Sequence, residues 1–389
     1  MRRALVVTTE GCIVTLPVRL GLRRSPSADS APGRTLRQAL IAAGLAYAGS
    51  VGGYALLRRL MGPREGWLEL VDDLEPWAYV PAPALAALGA ASGSRNLLAA
   101  GLAVAGLFGL RWGQRFLRAA DVSPAERPPA PLTIMTYNTL AWQREGHDLK
   151  RSILAANPDI IGLQEIGPRS ARYLADTLHE RYPYAHITES PDSSGAAVLS
   201  RYPMRDAVAF RASEKGHWWQ RMLIDTPAGP LTYINIHTKI PYLRTTHRRA
   251  WLPRIPLAFH SERRSREVEY LVSLLAKIDG PVIVCGDFNM TERSADHALL
   301  AGTLRDAYQR VGRGFGNTFP RVGSWPRIFP APWPILRLDY VWYSDAFDVA
   351  WAYRGDAGES DHHPIIAGLT WAAQSKPLHA GVPLAASAV

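Results

Sequence analysis

Apolar and polar positions follow two different patterns along this chain, and they change over near the proline-rich stretch 124–131. Before it, charge-free runs of Ala, Gly and Leu fill residues 38–57, 76–94 and 96–110. A bilayer takes roughly 20 apolar residues in a helix, so the first run predicts a membrane span, with Arg37 and Arg58 as its interfacial anchors. The other two runs are shorter or broken by Pro81 and Pro83, with only Arg95 between them. Together they predict a tight transmembrane hairpin, with Trp67, Trp77, Tyr79 and Trp112 near the interfaces. Gly49 and Gly53, four apart on one face, are spaced for close helix approach. The competing readings are a hydrophobic soluble helical domain and a cleaved signal peptide. The signal peptide fits poorly, because the run starts after residue 37 and its far end shows no cleavage pattern.

Beyond the change, short β-rich runs alternate with amphipathic stretches. Strands are predicted at 133–138, 159–165, 196–200, 222–225, 231–237, 281–287, 338–343 and 364–370, and helices at 149–156, 169–181, 262–278 and 294–301. The cadence is not strictly βαβ, and no helix separates the strands between residues 182 and 237, which implies antiparallel pairing. The expected fold class is α/β in the α+β sandwich sense: two packed, mainly antiparallel β-sheets flanked by helices, preceded by an N-terminal transmembrane helical region. The expected layout is a basic N-terminal segment 1–37, a membrane region 38–112 of about three helices, a linker 113–131, a C-terminal domain 132–371 and a tail 372–389. No internal repeat is present, and the low-complexity segments 25–33 and 124–131 have the composition of disordered chain.

Charge adds a direction. Lys and Arg total 44 against 34 for Asp and Glu, a net of +10, and Arg2, Arg3, Arg19, Arg23, Arg24, Arg34 and Arg37 all precede the first span. The positive-inside rule then puts the N-terminus in the cytoplasm, and three crossings put the C-terminal domain outside: a multi-pass protein of the cell membrane. Glu65, Glu69, Asp72, Asp73 and Glu75 fit an outer face, while Arg111, Arg115 and Arg118 argue the other way. Cys12 and Cys285 are the only cysteines, so no disulfide framework and no structural zinc spacing exist, and Cys285 has the setting of a small buried thiol.

The chemistry lies at the ends of apolar runs. Thr136–Asn138, Leu163–Glu165, Asn235–Thr238, Gly286–Asn289 and Ser360–Pro364 each stop at a carboxylate, amide or imidazole. Such a set offers oxygen ligands for a hard divalent cation, a carboxylate to orient water, and imidazoles to meet a phosphate. Asp287 and Asn289, two apart on an extended segment, point to one side and leave Phe288 for the core.

In order and number these segments resemble the endonuclease/exonuclease/phosphatase superfamily, the DNase I-like fold of deoxyribonucleases, abasic-site endonucleases, inositol-polyphosphate phosphatases and sphingomyelinases, over residues 132–370. The resemblance implies Mg²⁺, with Mn²⁺ as the alternative. It makes Glu165 the metal carboxylate, supported by Asn138, with Asp361 serving the metal directly or through water. Asp287 becomes the residue that orients or deprotonates the attacking water, and Asn289 the one that holds the phosphate. His362 stabilises the phosphorane charge, Asp339 orients His362, and His237 contacts phosphate. Asp306 is expected to be structural and His363 packed or solvated. Leu140 stands where abasic-site endonucleases usually carry an acid, and His237 where they commonly use an aromatic ring, which disfavours DNA repair.

Two segments bear on substrate. Residues 239–254 interleave Arg244, His247, Arg248, Arg249 and Arg254 with Tyr242 and Trp251, a composition that suits nucleic acid, an anionic lipid surface or a plain solvated loop. Arg248 and Arg249 are the expected substrate contacts there. The second, 315–320, resembles a loop of membrane-anchored bacterial members and nominates Thr318 and its aromatic neighbours. The expected activity is hydrolysis of a phosphate ester or diphosphate by in-line water attack, with a lipid phosphate or polyprenyl diphosphate as substrate and the bilayer as partner. A membrane-tethered nuclease acting on DNA or RNA is the second reading, and an inactive membrane binding module the third. No obligate protein partner is implied.

Overall fold

The computed structural model describes residues 31–61, 66–118, 130–140, 146–245, 256–321 and 333–372. In chain order the strands are β1 (Leu132–Asn138), β2 (Ile160–Gln164), β3 (Tyr184–Thr188), β4 (Ala196–Ser200), β5 (Met204–Phe210), β6 (Trp219–Thr226), β7 (Gly229–His237), β8 (Tyr242–Thr245), β9 (Pro256–His260), β10 (Val282–Asp287), β11 (Arg305–Asp306), β12 (Asp339–Tyr343), β13 (Phe347–Arg354) and β14 (Ile365–Trp371). They form two six-stranded sheets, ordered β13-β14-β1-β2-β4-β3 and β11-β12-β10-β7-β6-β5, with β8 and β9 as a separate ribbon. The helices are α1 (Ala31–Met61), α2 (Trp67–Leu74), α3 (Ala82–Ser92), α4 (Arg95–Leu117), α5 (His147–Ala156), α6 (Pro168–Leu178), α7 (Glu262–Leu275), α8 (Ala295–Ala301) and α9 (Ala307–Val311).

The two sheets are built alike. Every pairing is antiparallel except one central pair in each, β1 with β2 and β7 with β10, and the connections carry α5 and α7 respectively. Parallel neighbours end on the same side, so the C-terminal ends of these four strands and the N-terminal ends of their antiparallel neighbours β12 and β14 share one edge. The predicted polar tips lie there. The central strands are buried on both faces, as their nearly unbroken apolar runs require.

Between the sheets pack Ile134, Ile160, Val198, Met222, Tyr233, Ile283, Cys285 and Val341. One polar cluster crosses this layer. Asn235 donates to the carbonyls of Leu163 and Ala197 and to Gln220 Oε1, and accepts from Gln164 Nε2 at 2.6 Å, so a buried amide of the second sheet is satisfied by the first. Asn235 therefore joins the sheets. Gly162 permits the approach: a Cβ there would lie 2.7 Å from Cys285 Sγ and 2.8 Å from Asn235 Oδ1.

Two helices among the described residues are long and apolar enough to cross a membrane, Thr35–Met61 and Arg95–Leu117; α3, with eleven residues, is shorter. α3 and α4 form the predicted hairpin, closed where Gly89 faces the Leu98 backbone and Gly101 faces that of Ala86. A Cβ at either glycine would sit within 2.5 Å of backbone, whereas none is crowded at Gly49 or Gly53, so the close approach lies on α3 and α4 and not on α1 as the spacing suggested. At one end of the bundle Arg37 donates to the Ser92 carbonyl. At the other, Arg58 pairs with Asp72, and Arg111 with Glu75 at 2.7 Å.

Of the acidic residues expected on an outer face, Glu65 lies outside the described residues and the other four are placed differently. Glu69, Asp72 and Glu75, on α2 and the 3-10 turn after it, are buried between the bundle and the sandwich. Glu69 pairs with the fully buried Arg264 and accepts from Ser261 Oγ, Asp73 accepts from Thr291 Oγ1 at 2.5 Å, and Glu75 lies 2.9 Å from Arg293. Arg115 adds a 2.6 Å pair with Glu292, and Phe315 packs among Trp77, Phe108, Trp112 and Phe116. These acids carry no information about sidedness, because each meets a partner inside the protein.

Candidate active site

The shared edge gathers the strand tips into one polar cluster. Asn138, at the end of β1, donates from Nδ2 to Glu165 Oε1 at 3.1 Å and to Asp287 Oδ2 at 2.9 Å, tying the ends of three strands together. Its Oδ1 accepts from the Leu140 amide at 3.2 Å and keeps a second lone pair, so Asn138 bridges two carboxylates through Nδ2 with an oxygen still able to accept. Asp339 lies opposite Asp287 in the β10–β12 register. Ser360 Oγ donates to the Asn138 carbonyl at 2.7 Å and accepts from the His362 amide at 3.0 Å, which pins the loop carrying His362 to β1.

The backbone is bent where these side chains turn inward. Glu165, Asn289 and Leu140 have φ of 51°, 46° and 55°, left-handed values that cost non-glycine residues of order 1–3 kcal/mol and gather at functional sites. Asn289 is held by its Nδ2 on the Thr238 carbonyl and by its amide on Asp287 Oδ1, both at 2.9 Å, and Phe288 points into the core as the spacing predicted.

Burial and neighbouring charge divide the titrating groups. Burial alone would lower the His362 imidazole, but Asp339, 2.8 Å from Nδ1, together with Asp287 lifts it to about 10, so the ring is a cation at neutral pH. His237 goes the other way. Burial, then the neighbouring His217, hold it well below its ordinary value, and its approaches of 3.8 Å to Glu165 and 3.5 Å to Asp287 are contacts of a neutral ring. His217 stacks on it with centroids 3.8 Å apart and planes 5° from parallel, itself lowered to about 4 by burial. Burial raises Asp287 to about 7 against the pull of His362, and it also raises Glu165.

The donor set suits a divalent cation. Glu165, Asp287, Asp339 and Asp361 bring four carboxyl groups to one cationic side chain, His362, and Asp339 Oδ1 is buried without a hydrogen-bond partner among the described residues. Asp287, Asp339 and His362 offer ligand atoms within 4.8 Å of one another, but a protonated His362 has no lone pair to give. Glu165, whose carboxylate keeps 19% of its surface open, is the group placed to receive an ion, with Asp361 beside it in charge range.

The remaining predicted residues are distributed unevenly. Thr318 is fully buried and its Oγ1 accepts from the Leu338 amide, so it braces the segment before β12; its neighbour Phe319 packs on the His362 ring at 4.8 Å. Arg248 and Arg249 lie outside the described residues. Asp306 is structural, capping α9 through the Gln309 amide and pairing with Arg337 at 2.7 Å, and His363 meets the Gly355 carbonyl at 3.0 Å. His217 and Ser360 had no assigned role: His217 follows no apolar run, and Ser360 is one turn-forming residue among many.

The profile described as the Endonuclease/Exonuclease/phosphatase family matches residues 135–362, from β1 through His362. The chain belongs to this family. Its fold is therefore of the hydrolytic phosphoesterase type. The relative described as "Uncharacterized protein YbhP" of Escherichia coli K12 is 29% identical over 248 residues, 57% of this chain and 86% of that protein. Among solved structures, the endonuclease/exonuclease/phosphatase from Bacteroides vulgatus is 17% identical with a TM-score of 0.48 over 62% of this chain and 99% of that one. The D. rerio TDP2 complexed with single strand DNA product is 14% identical, also with a TM-score of 0.48, over 61% and 98%.

Proposed function

We propose that this family member is a membrane-embedded, Mg²⁺-dependent phosphoesterase that hydrolyses a phosphate ester or diphosphate of a lipid or polyprenyl substrate by in-line attack of water. Asp287, lifted to about 7, is suited to take the proton of the attacking water, since a base works best near the operating pH. The His362 cation and the neutral His237 Nε2 meet the phosphoryl oxygens, where charge grows in the transition state. Asn138 holds Glu165 and Asp287 apart at hydrogen-bonding distance, and Asn289 fixes the Asp287 rotamer through its amide. A divalent cation held by Glu165, with Asp361 adjoining, would supply Lewis-acid neutralisation of the phosphate; oxygen ligands favour Mg²⁺, and Mn²⁺ fits the same donors.

The observation that carries the lipid reading is where the helical bundle grips the sandwich. Asn289 to Arg293 begin two residues after the water-activating Asp287; Asp73, Arg115 and Glu75 hold three of these five residues from the bundle side, and Arg264 of α7, itself paired with Glu69, holds the Asn289 carbonyl. A substrate within the bilayer would meet an active site whose position relative to the membrane is constant. The bundle also supports a topology. Arg37 meets Ser92 at one end and Arg58 and Arg111 meet carboxylates at the other, so α3 runs antiparallel to α1 and to α4, an order that suits three crossings with the eleven-residue α3 in the short middle arm. The excess of arginine in residues 1–37 then favours a cytoplasmic N-terminus and an extracytoplasmic catalytic domain.

Full-length protein in detergent, with Mg²⁺ or with chelator, is to be assayed on phospholipids, polyprenyl diphosphate, plasmid DNA and abasic DNA. Metal-dependent turnover of a lipid phosphate is expected, reduced at least about 100-fold by Asp287→Ala or His362→Ala. DNA cleavage without lipid turnover would overturn the substrate class in favour of the tethered nuclease. Protease access to the catalytic domain in intact cells tests the sidedness.

A further inference from the structure

A cavity of about 700 Å³ opens between α1, α4 and the start of α8, and none of the active-site residues lines it. Its walls are of two kinds. Leu56 and Leu107 face it from α1 and α4, while Arg58, Arg59, Arg111 and Arg293 bring four guanidinium groups to its domain-side end. Two carboxylates, Asp72 and Glu75, stand behind three of these arginines, and Arg59 has no ion-pair partner among the described residues. Glu292 also reaches the cavity, but its carboxylate is occupied by Arg115 and Arg337. A surplus of positive charge remains, above an apolar groove.

We propose that this cavity binds one anionic phospholipid of the surrounding bilayer, its phosphate on Arg59 and Arg293 and its acyl chains along α1 and α4. Charge complementarity selects this occupant. Guanidinium groups present planar forks that match phosphate oxygens, and basic pockets between membrane helices are suited to anionic head groups. The apolar side fits chains: Leu56, one turn before Arg59, is 59% exposed, and Gly52, Ala55 and Leu107 continue the wall away from the arginines. The bound lipid would be a structural ligand at a site separate from the catalytic centre. It touches Glu292 and Arg293, which lie in the segment that continues from Asn289. This inference rests on the membrane-embedded reading above and needs that reading to hold.

The test uses full-length protein reconstituted into vesicles of equal phosphatidylglycerol and phosphatidylcholine, floated on a density gradient, then extracted into mild detergent for native mass spectrometry. Wild type is expected to float and to retain one phosphatidylglycerol in preference to phosphatidylcholine. Arg59→Gln should lower that retention about five-fold, the effect of one basic group near an anionic surface, and Arg59→Lys should restore most of it. Arg59 is exposed and makes no hydrogen bond or ion pair among the described residues, so loss of folding does not confound these variants, and circular dichroism checks it. Flotation with equal retention of both lipids, or with retention unaffected by Arg59→Gln, overturns the lipid site and leaves the membrane reading standing. Failure to float overturns both. Displacement of the lipid by millimolar inorganic phosphate with the same loss in Arg59→Gln would reassign the cavity to a soluble anion and overturn the proposal.

Discussion

Burial would remove the proton from His362, and Asp339, 2.8 Å from Nδ1, with Asp287 reverses that, lifting the ring to about 10. The sign follows from the direction of the shift. The cation persists below about 10 and is lost as pH rises through that value, so activity that needs it should show a descending limb there. Asp339→Asn removes the carboxylate chiefly responsible. The limb should move toward the ordinary imidazole range, and kcat at neutral pH should fall about 100- to 1000-fold, the cost of losing one aimed stabiliser of transition-state charge. A pH–rate profile of the two proteins checks both effects, and a limb left in place would show that Asp339 only packs. The Asp339–His362 pairing was foreseen from the motif. His217 was not: the ring that adds to burial in lowering His237 comes from the Gly216-His217-Trp218 loop, where no apolar run ends, and only the folded chain stacks the two imidazoles.

At the scale of elements, the sheet centres hold both the core and the site, and the polar cluster around Asn235 is their joint. Asn235→Ala would orphan Gln220 Oε1 inside the sandwich and leave one N–H of Gln164 Nε2 unpaired, its other donating to Thr136 Oγ1. With about 1–3 kcal/mol for each unpaired buried group, a loss of about 2–4 kcal/mol is expected in urea unfolding of the detergent-solubilised protein. An apolar trimming on the outer face of the first sheet, Ile161→Val, should cost only about 0.5–1.5 kcal/mol. The same elements show what could be read in advance. β1, β2, β7 and β10 were legible because strands covered on both faces need unbroken apolar runs, and their ends gave Asn138, Glu165, His237 and Asp287 in advance. β3 and β5 were missed because they are sheet edges whose side chains are largely exposed, so no run or clean alternation marks them. α2 was missed because it is eight residues long and its acids look solvated until their partners are known.

Those partners lie far along the chain, and they decide how the molecule works as a whole. Glu69 is separated from Arg264 by 195 residues, and Arg115 from Glu292 by 177, so no local pattern announces either pair. Arg264 is the centre of the junction: fully buried, it meets Glu69 of the bundle, Asp296 of α8 at 2.7 Å, and the Asn289 carbonyl at 2.8 Å. One guanidinium thus touches the N-terminal helical region and the segment that holds Asp287 in place. Removing one partner of a buried ion pair costs about 3–5 kcal/mol, and because Asp296 remains on Arg264, Glu69→Gln should fall at the lower end of that range. If the bundle is part of the active-site scaffold, the surviving folded protein should also turn over more slowly, with kcat reduced several-fold and KM little changed, since Asn289 positions Asp287 and is not needed to admit substrate. Thermal unfolding and steady-state kinetics on the same preparation separate the two effects. A lowered melting temperature with unchanged kcat per folded molecule would make the junction a support only; a fall in both would mean that the N-terminal helices help to aim the Asp287 carboxylate.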